Sequence, residues 1–396
     1  MIVLAGGSLV LPGRILSNTA LVIDQGRIAA IEAAPPSVPD ATVVDVSTLF
    51  VVPGFIDVHV HGIEGHDTLD GPGAIAAIAA RLARFGVTAF CPTTVACGPE
   101  PLRNVLDQVG RERARRPPGS ARVLPAHLES NFISADYAGA QPRGCLRLPD
   151  GESTAGEFSG RDILAVIESR AADVGIVTLA PELPGALRLV AALVRAGHRV
   201  SIGHTGADFD QTVSAIGAGA RHAAHLFNRM TPMTHQTPGV VGAVLSIGDV
   251  AAELICDGVH VHPAACRVAI AAKGVGGVMA VTDGTAGSGL PLGATARLGG
   301  RAIHVTNRGA RLDDGTLAGS TLTMDRAFRN LVTMCGTSIP DAAVMCSTSP
   351  ARALGLTGFG VIAEGATADL AVIDAQFSVV HTYIAGACVY SRAVGA

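Results

Sequence analysis

Phe55-Ile56-Asp57-Val58-His59-Val60-His61 is an apolar run of strand length whose polar side chains fall on every second position. Successive strand side chains alternate faces, so His59 and His61 leave the same side of such a strand. A helix-type pattern, Gly73–Phe85, follows it. The same kind of unit recurs along the chain. Val87–Thr93, Ala121–Leu128, Ile176–Pro181, Arg199–His204, His222–Phe227, Ala251–Cys256 and Val278–Thr282 each read as a buried parallel strand. Helical patterns such as Ala186–Ala196 and Asp208–Ile216 come between them. Eight strand–helix units predict an α/β fold of the (β/α)8 TIM-barrel type rather than a doubly wound sheet. The first unit carries no glycine-rich dinucleotide fingerprint.

Outside this region the pattern changes. Thr19-Ala20-Leu21-Val22-Ile23 and Arg27-Ile28-Ala29-Ala30-Ile31 flank the turn Asp24-Gln25-Gly26 as in a hairpin. Asp369-Leu370-Ala371-Val372-Ile373 and Val379–Ile384 repeat that style near the other end. The expected organisation is a small β-sandwich domain from residues 1–52 and 357–396, with a catalytic barrel from 53–356 between them.

Composition narrows the class. A chain of 396 residues suits one large barrel with a modest appendage. Asp249 and Glu253 interrupt the most apolar stretch, Pro238–Cys256, so no membrane span is expected. Met1–Gly7 lacks the basic start of a secretory signal. Acids (33) and bases (29) nearly balance, and Arg111–Arg116 is the nearest thing to a basic cluster, which argues against nucleic-acid binding. The eight cysteines are scattered without a C-x-x-C pair, as expected of free thiols in a reducing cytoplasm.

Function is written at the strand ends. The first strand ends in His59-Val60-His61, the third in His127-Leu128-Glu129, the fifth in Gly203-His204-Thr205, the sixth in Ala224-His225-Leu226 and the eighth in Thr282-Asp283-Gly284. In a barrel these ends converge on one mouth. Four histidines (His59, His61, His204, His225) and two carboxylates (Glu129, Asp283) meeting there form a ligand set for Zn²⁺ or a similar divalent ion, with Fe, Mn or Co as alternatives. His127, His66 and Asp67 are left outside the ligand set, and His198, His222 and His381 read as ordinary structural histidines. A barrel reduced to a scaffold would have lost ligands or its base; all six positions are intact.

The constellation resembles the amidohydrolase superfamily, and more finely the N-acetylglucosamine-6-phosphate deacetylases. The resemblance runs through Leu179-Ala180-Pro181-Glu182, Ser201–Thr205, His225-Leu226-Phe227-Asn228, Asp257-Gly258-Val259-His260-Val261, Val281-Thr282-Asp283, Gly315–Ser320 and Ser349-Pro350-Ala351. It implies one or two metals per subunit: one on Glu129, His204 and His225, and room for a second on His59 and His61 with Glu129 bridging and Asp283 nearby. The carboxylated lysine of hydantoinase-like relatives has no counterpart, because Lys273, the only lysine, lies on a predicted helix. The resemblance further implies Asp283 as the catalytic base, Asn228, His260 and the backbone at Leu317-Ala318-Gly319 as substrate contacts, and a homodimer acting on a small N-acetyl amino sugar.

Three departures from the family pattern bear on the substrate. Glu129 is followed by Ser130-Asn131 rather than Gly-Pro. The loop Ala138-Gly139-Ala140-Gln141 places a glutamine where the family has a histidine that polarises the substrate carbonyl, so Gln141 is expected to offer only a neutral hydrogen bond. Gln236 stands where the family grips phosphate with an arginine from the neighbouring subunit. A glutamine cannot supply the bidentate, charged contact of a guanidinium. Arg229, beside Asn228, either replaces that charge or forms a surface salt bridge. The expected substrate is an N-acetylhexosamine 6-phosphate, with an unphosphorylated N-acetyl amino sugar or another N-acyl amine as the alternative.

Overall fold

The computed structural model describes residues 1–33, 41–115, 117–150 and 158–392. Parts of the expected terminal segments (34–40 and 393–396) and Arg116 of the basic cluster lie outside the described residues.

The barrel is built by Phe55–Val60, Val87–Thr94, Ala126–Glu129, Val174–Leu179, Arg199–Ile202, His222–Ala223, Ala251–Leu254 and Val278–Ala280, each paired in parallel with its neighbour. The expected third strand, Ala121–Leu128, is two pieces, Arg122–Val123 and Ala126–Glu129. Pro125 sits between them, and proline has no N–H to give the ladder. The sixth strand is also shorter than its apolar run suggests. Beyond Ala223 the chain turns, with His225, Phe227 and Arg229 at φ of 30°, 78° and 50°.

Closure between the eighth strand and the first is made by few bonds. Val60 bridges Gly284 in parallel, His61 N–H donates to Gly284 O (2.7 Å) and Asp283 N–H to His59 O (2.9 Å). The buried Asp57 carboxylate adds a side-chain stitch, accepting from Thr282 Oγ1 at 2.5 Å and Thr282 N at 3.3 Å.

The helices Ala74–Leu82, Ala186–Arg195 and Phe209–Gly217 fall where expected. Phe209–Gly217 starts from a capping box: Asp208 accepts from the Gln211 amide while the Gln211 side chain accepts from the Asp208 amide. One element was not legible in the sequence, a three-stranded meander of Thr295–Leu298, Arg301–Thr306 and Gly309–Arg311. It follows the eighth strand and packs Leu298, Ile303 and Leu312 with Val95 and Ala318 into a small separate core over the mouth.

Both chain ends share one eight-stranded, mostly antiparallel sheet, which fits the small sandwich. Leu370–Ile373 pairs with Phe50–Pro53, joining the two halves. The hairpin at Asp24–Arg27 turns through Gln25 (φ 45°) and Gly26 (φ 78°), the positive-φ pair that matches strand twist in a two-residue turn. Leu4, Leu9, Leu21, Val51 and Val372 bury a core there, distinct from that of the barrel.

Candidate metal centre at the barrel mouth

The alternation that begins at Phe55 does what it predicts: His59 and His61 are both buried at the end of the first strand, with their Nε2 atoms near the carboxylates of the mouth. His59 Nε2 is 3.6 Å from Glu129 Oε1 and 3.5 Å from Asp283 Oδ1. His61 Nε2 is 3.6 Å from Glu129 Oε2 and 3.1 Å from Asp283 Oδ1. His204 and His225 reach Glu129 Oε1 with their Nε2 atoms at 2.9 and 2.8 Å. All six residues come together, and their donor atoms include two overlapping triads, His59/His61/Glu129 and Glu129/His204/His225, each spanning no more than 4.8 Å.

Three of these residues are carried on left-handed backbone: His204 at φ 48°, His225 at 30° and Asp283 at 47°. A non-glycine residue pays for such a conformation, commonly about 1–3 kcal/mol, and it persists where surrounding contacts hold it. Each stands just past the end of its strand, where the strain turns the side chain into the mouth.

The opposite nitrogens test whether this set fits a metal. His59 Nδ1 meets Glu253 Oε2 at 2.7 Å, His61 Nδ1 meets Thr93 O at 3.2 Å and His204 Nδ1 meets Tyr137 O at 2.8 Å. Each partner is an acceptor, so each Nδ1 carries a hydrogen and turns its Nε2 towards the carboxylates. A positive charge, whether a proton on Nε2 or a metal ion, is then needed between each Nε2 and the carboxylates it faces. Fixing Nδ1 on an oxygen is also how proteins orient metal-binding imidazoles. His59 Nε2 is buried without any hydrogen-bond partner. The residues fit a divalent metal.

Electrostatics agree. Burial opposes charge on the His59 ring, but the Glu253, Asp283 and Glu129 carboxylates outweigh it and push its pKa up to about 10. Burial would raise Glu129, yet the charges and hydrogen bonds of His204, His225 and His59 hold it well below the usual carboxylate range. Asp283 is likewise lowered against its burial by the hydrogen bond from His61 and the charges of His59 and His61. A site that attracts protons this strongly attracts a dication by the same field.

Two buried carboxylates, Glu253 and Asp57, belong to the centre although the sequence did not mark them. Glu253 holds His59 and also accepts from the His225 amide (3.3 Å); Asp57 stitches the seam. Burial pushes Asp57 up to about 6. The available signal was an acid inside an otherwise apolar strand, as in Ala251-Ala252-Glu253-Leu254. His127 is no ligand: its Nδ1 meets Val58 O (2.9 Å) and its Nε2 meets Thr178 Oγ1 (2.7 Å). Burial and the neighbouring His59 push its pKa down to about 4. Lys273, at the end of a helix, donates to Ile247 O, away from the mouth.

A cavity of about 190 Å³ opens above the centre, lined by His61, Glu129, His204, His225 and Asp283 together with Ala140, Gln141, Asn228, Arg229, His260, Leu317 and Gly319. Arg229 crosses Gly139, where a Cβ would stand 2.8 Å from Arg229 Nε, so the missing side chain makes room for the guanidinium. His260 is held by Asp257, Nδ1 to Oδ2 at 2.7 Å.

The settings of Gln141, Ala318 and Gln236 differ from one another. Gln141 lines the cavity and is held on both amide atoms: one N–H of its Nε2 donates to Glu129 Oε2 and its Oε1 accepts from the Ala96 amide at 2.8 Å. Ala318 is fully buried and its amide donates to Ala310 O, leaving Leu317 and Gly319 on the wall. Gln236 lies outside the cavity, on a separate surface pocket with Phe209 and Pro238.

The sequence matches the amidohydrolase family over residues 50–389. It is 36% identical to an N-acetylglucosamine-6-phosphate deacetylase of Lysinibacillus sphaericus, over 85% of this chain and 84% of that one. It is 34% identical to an N-acetylgalactosamine-6-phosphate deacetylase of Escherichia coli O157:H7, over 94% of both chains. Among solved structures, a mutant N-acetyl-D-glucosamine-6-phosphate deacetylase from Mycobacterium smegmatis, in complex with N-acetyl-D-glucosamine-6-phosphate, superposes with a TM-score of 0.87. It is 32% identical, over 98% of this chain and 99% of that one. Eight parallel strands, a histidine–carboxylate centre at their ends and these likenesses lead to one assignment: the chain belongs to the amidohydrolase family, in its N-acetylglucosamine-6-phosphate deacetylase branch.

Proposed function

We propose that the protein hydrolyses the acetamide of an N-acetylhexosamine 6-phosphate, releasing acetate and the amino sugar phosphate. The observation that carries this reading is the convergence of Glu129, His204, His225, His61 and Asp283 on one cavity, with His59 buried directly behind them. Glu129, His204 and His225 would hold one divalent metal, and His59 and His61, sharing Glu129, a second. The donor set of imidazole and carboxylate suits Zn²⁺ first, with Fe, Mn or Co as alternatives.

When bound, the metal lowers the pKa of water so that hydroxide is available near neutral pH, and it stabilises charge on the carbonyl oxygen. Asp283 accepts the proton of the attacking water and returns it to the departing nitrogen, so that water adds across the C–N bond. Its depressed pKa keeps it ionised and ready to accept. Gln141 positions Glu129 through their hydrogen bond. Arg229, His260 and Asn228, on the cavity wall, would meet the polar far end of the sugar.

The alternative substrate, an unphosphorylated N-acetyl amino sugar, is favoured by one observation: Gln236 contributes no cation and lies outside the cavity. A homodimer, as the family resemblance implies, would bring a neighbour's Gln236 to the site and is testable by sedimentation. Eight free thiols support a reducing compartment such as the cytoplasm, and no helix among the described residues is long and apolar enough to cross a membrane.

The deciding experiment measures acetate release from N-acetylglucosamine and N-acetylgalactosamine, each with and without its 6-phosphate. Release dependent on added metal, and lowered in His204→Ala together with metal bound at the mouth, supports the reading. Full metal occupancy in His204→Ala would overturn the ligand set.

A further inference from the structure

Three of the eight free cysteines, scattered in the sequence, come together in the fold. Cys256 follows the seventh barrel strand, Cys266 lies in the helix Pro263–Lys273, and Cys335 follows the helix Met324–Thr333. Their Sγ atoms all lie within 4.8 Å of one another, and all three residues are buried. Zn–S bonds are about 2.3 Å long, so three sulfurs on one ion stand roughly 4 Å apart. The observed spacing reaches that with side-chain adjustments of roughly an ångström or less. No cysteine is among the residues lining the cavity at the mouth.

A buried cysteine most often acts as a small apolar side chain. Here three of them, from three different parts of the chain, bring their sulfurs within 4.8 Å of one another. Positive charge stands beside them: Arg267, adjacent to Cys266, donates from its guanidinium to Met334 O, adjacent to Cys335, at 3.2 Å. Three thiolates around one dication carry a net negative charge, which a nearby guanidinium offsets. Thiolates select soft cations.

We propose that Cys256, Cys266 and Cys335 form a three-thiolate site for a soft cation of the Zn²⁺ or Cu⁺ class, separate from the metal centre at the barrel mouth. Its role is structural. The loop between Cys256 and Cys266 carries Asp257 and His260, and His260 lines the substrate cavity. Asn330 already ties this loop to the neighbouring helix through Cys256 O (2.8 Å). A cation on all three sulfurs fastens the loop to both helices at once.

The test uses reduced, full-length protein with its mouth metal in place, titrated anaerobically with Co²⁺. Sulfur-to-cobalt charge-transfer absorption reports thiolate ligation and is not produced by imidazole or carboxylate. The band should saturate at a single equivalent per chain and disappear in Cys335→Ala. It should persist in Cys91→Ala and in the mouth variant His204→Ala. Competition with Zn²⁺ and with Cu⁺ then identifies the preferred cation. Absence of the band in folded wild-type protein overturns the proposal, as does its persistence in both Cys335→Ala and Cys266→Ala. A disulfide between two of the three cysteines in protein purified without reductant overturns it as well.

Discussion

Glu253 Oε2 lies 2.7 Å from His59 Nδ1, and neither side chain is exposed to solvent. The carboxylate on the seventh strand thereby sets which nitrogen of the imidazole on the first strand faces the mouth. Burial would raise the Glu253 pKa, yet the His59 charge and hydrogen bond hold it low, so the anion is present to be used.

Replacing Glu253 by glutamine keeps the volume and removes the charge. Metal affinity should fall about ten- to a hundredfold, as is usual when the partner of a ligating histidine is altered. Chelator competition on the purified variant measures it. Unchanged affinity would mean that Glu253 only fills space between the strands.

Asp283→Asn should lower kcat by about 10²–10⁴-fold, because an amide cannot take the proton of the attacking water. Circular dichroism and the melting temperature should change little, since the Asp283 amide bond to His59 O is made by the backbone. Wild-type turnover in this variant would place the base elsewhere.

Of the two readings of Arg229, a replacement charge or a surface salt bridge, its place on the cavity wall favours the first, whereas Gln236 is remote from the cavity within one chain. Losing a charged hydrogen-bond partner costs about 1.5–3 kcal/mol, roughly ten- to a hundredfold in affinity. Arg229→Ala should therefore reduce kcat/KM for a phosphorylated hexosamine by about that factor and spare the unphosphorylated one. Gln236→Arg should strengthen the preference for phosphate if a neighbouring subunit presents that position. Identical ratios in all three proteins would contradict both assignments.

Two buried histidines predict the acid limb of stability. Burial pushes both His127 and His222 down to about 4 from the ordinary histidine value of 6.5. Between those values the unfolded chain binds protons that the folded chain refuses, so stability is fully present above about pH 6.5 and declines as pH falls towards 4. The loss is on the order of 3 kcal/mol for each ring. Urea midpoints across this range should fall steeply in the wild type and less steeply in His222→Gln. Parallel slopes would exclude His222 as a contributor.

The barrel was legible because each strand is an apolar run closed by a polar residue, and the same rule found His59, His61, Glu129, His204, His225 and Asp283. What escaped depends on long-range partners. Glu253 looked like an interruption of an apolar stretch, because its partner His59 is 194 residues away. Asp57 needed Thr282, across a barrel seam that no local pattern announces. The left-handed backbone at His204, His225 and Asp283 carries no sequence mark, since glycine is absent from all three. Gln141 was placed on the correct loop, but its hydrogen bond to Glu129 rests on side-chain geometry. The cysteine cluster stayed hidden because 69 residues separate Cys266 from Cys335.

The seam between the eighth strand and the first has a consequence for how the enzyme lives and dies. His59, His61 and Asp283 are at once the residues that close the barrel and the residues positioned to hold the metal. A cation there acts as a clasp, riveting the eighth barrel strand to the first. Stripped of it, the mouth retains Glu129 and Asp283 with no counter-ion but borrowed protons, and their repulsion bears on the joint that closes the barrel. Ligand binding to the native state alone adds stability by mass action, so metal supply and barrel integrity become one quantity. Removing the metal with a chelator is then expected to lower the melting temperature and to speed proteolysis of the native chain, so that metal supply would set lifetime as well as activity.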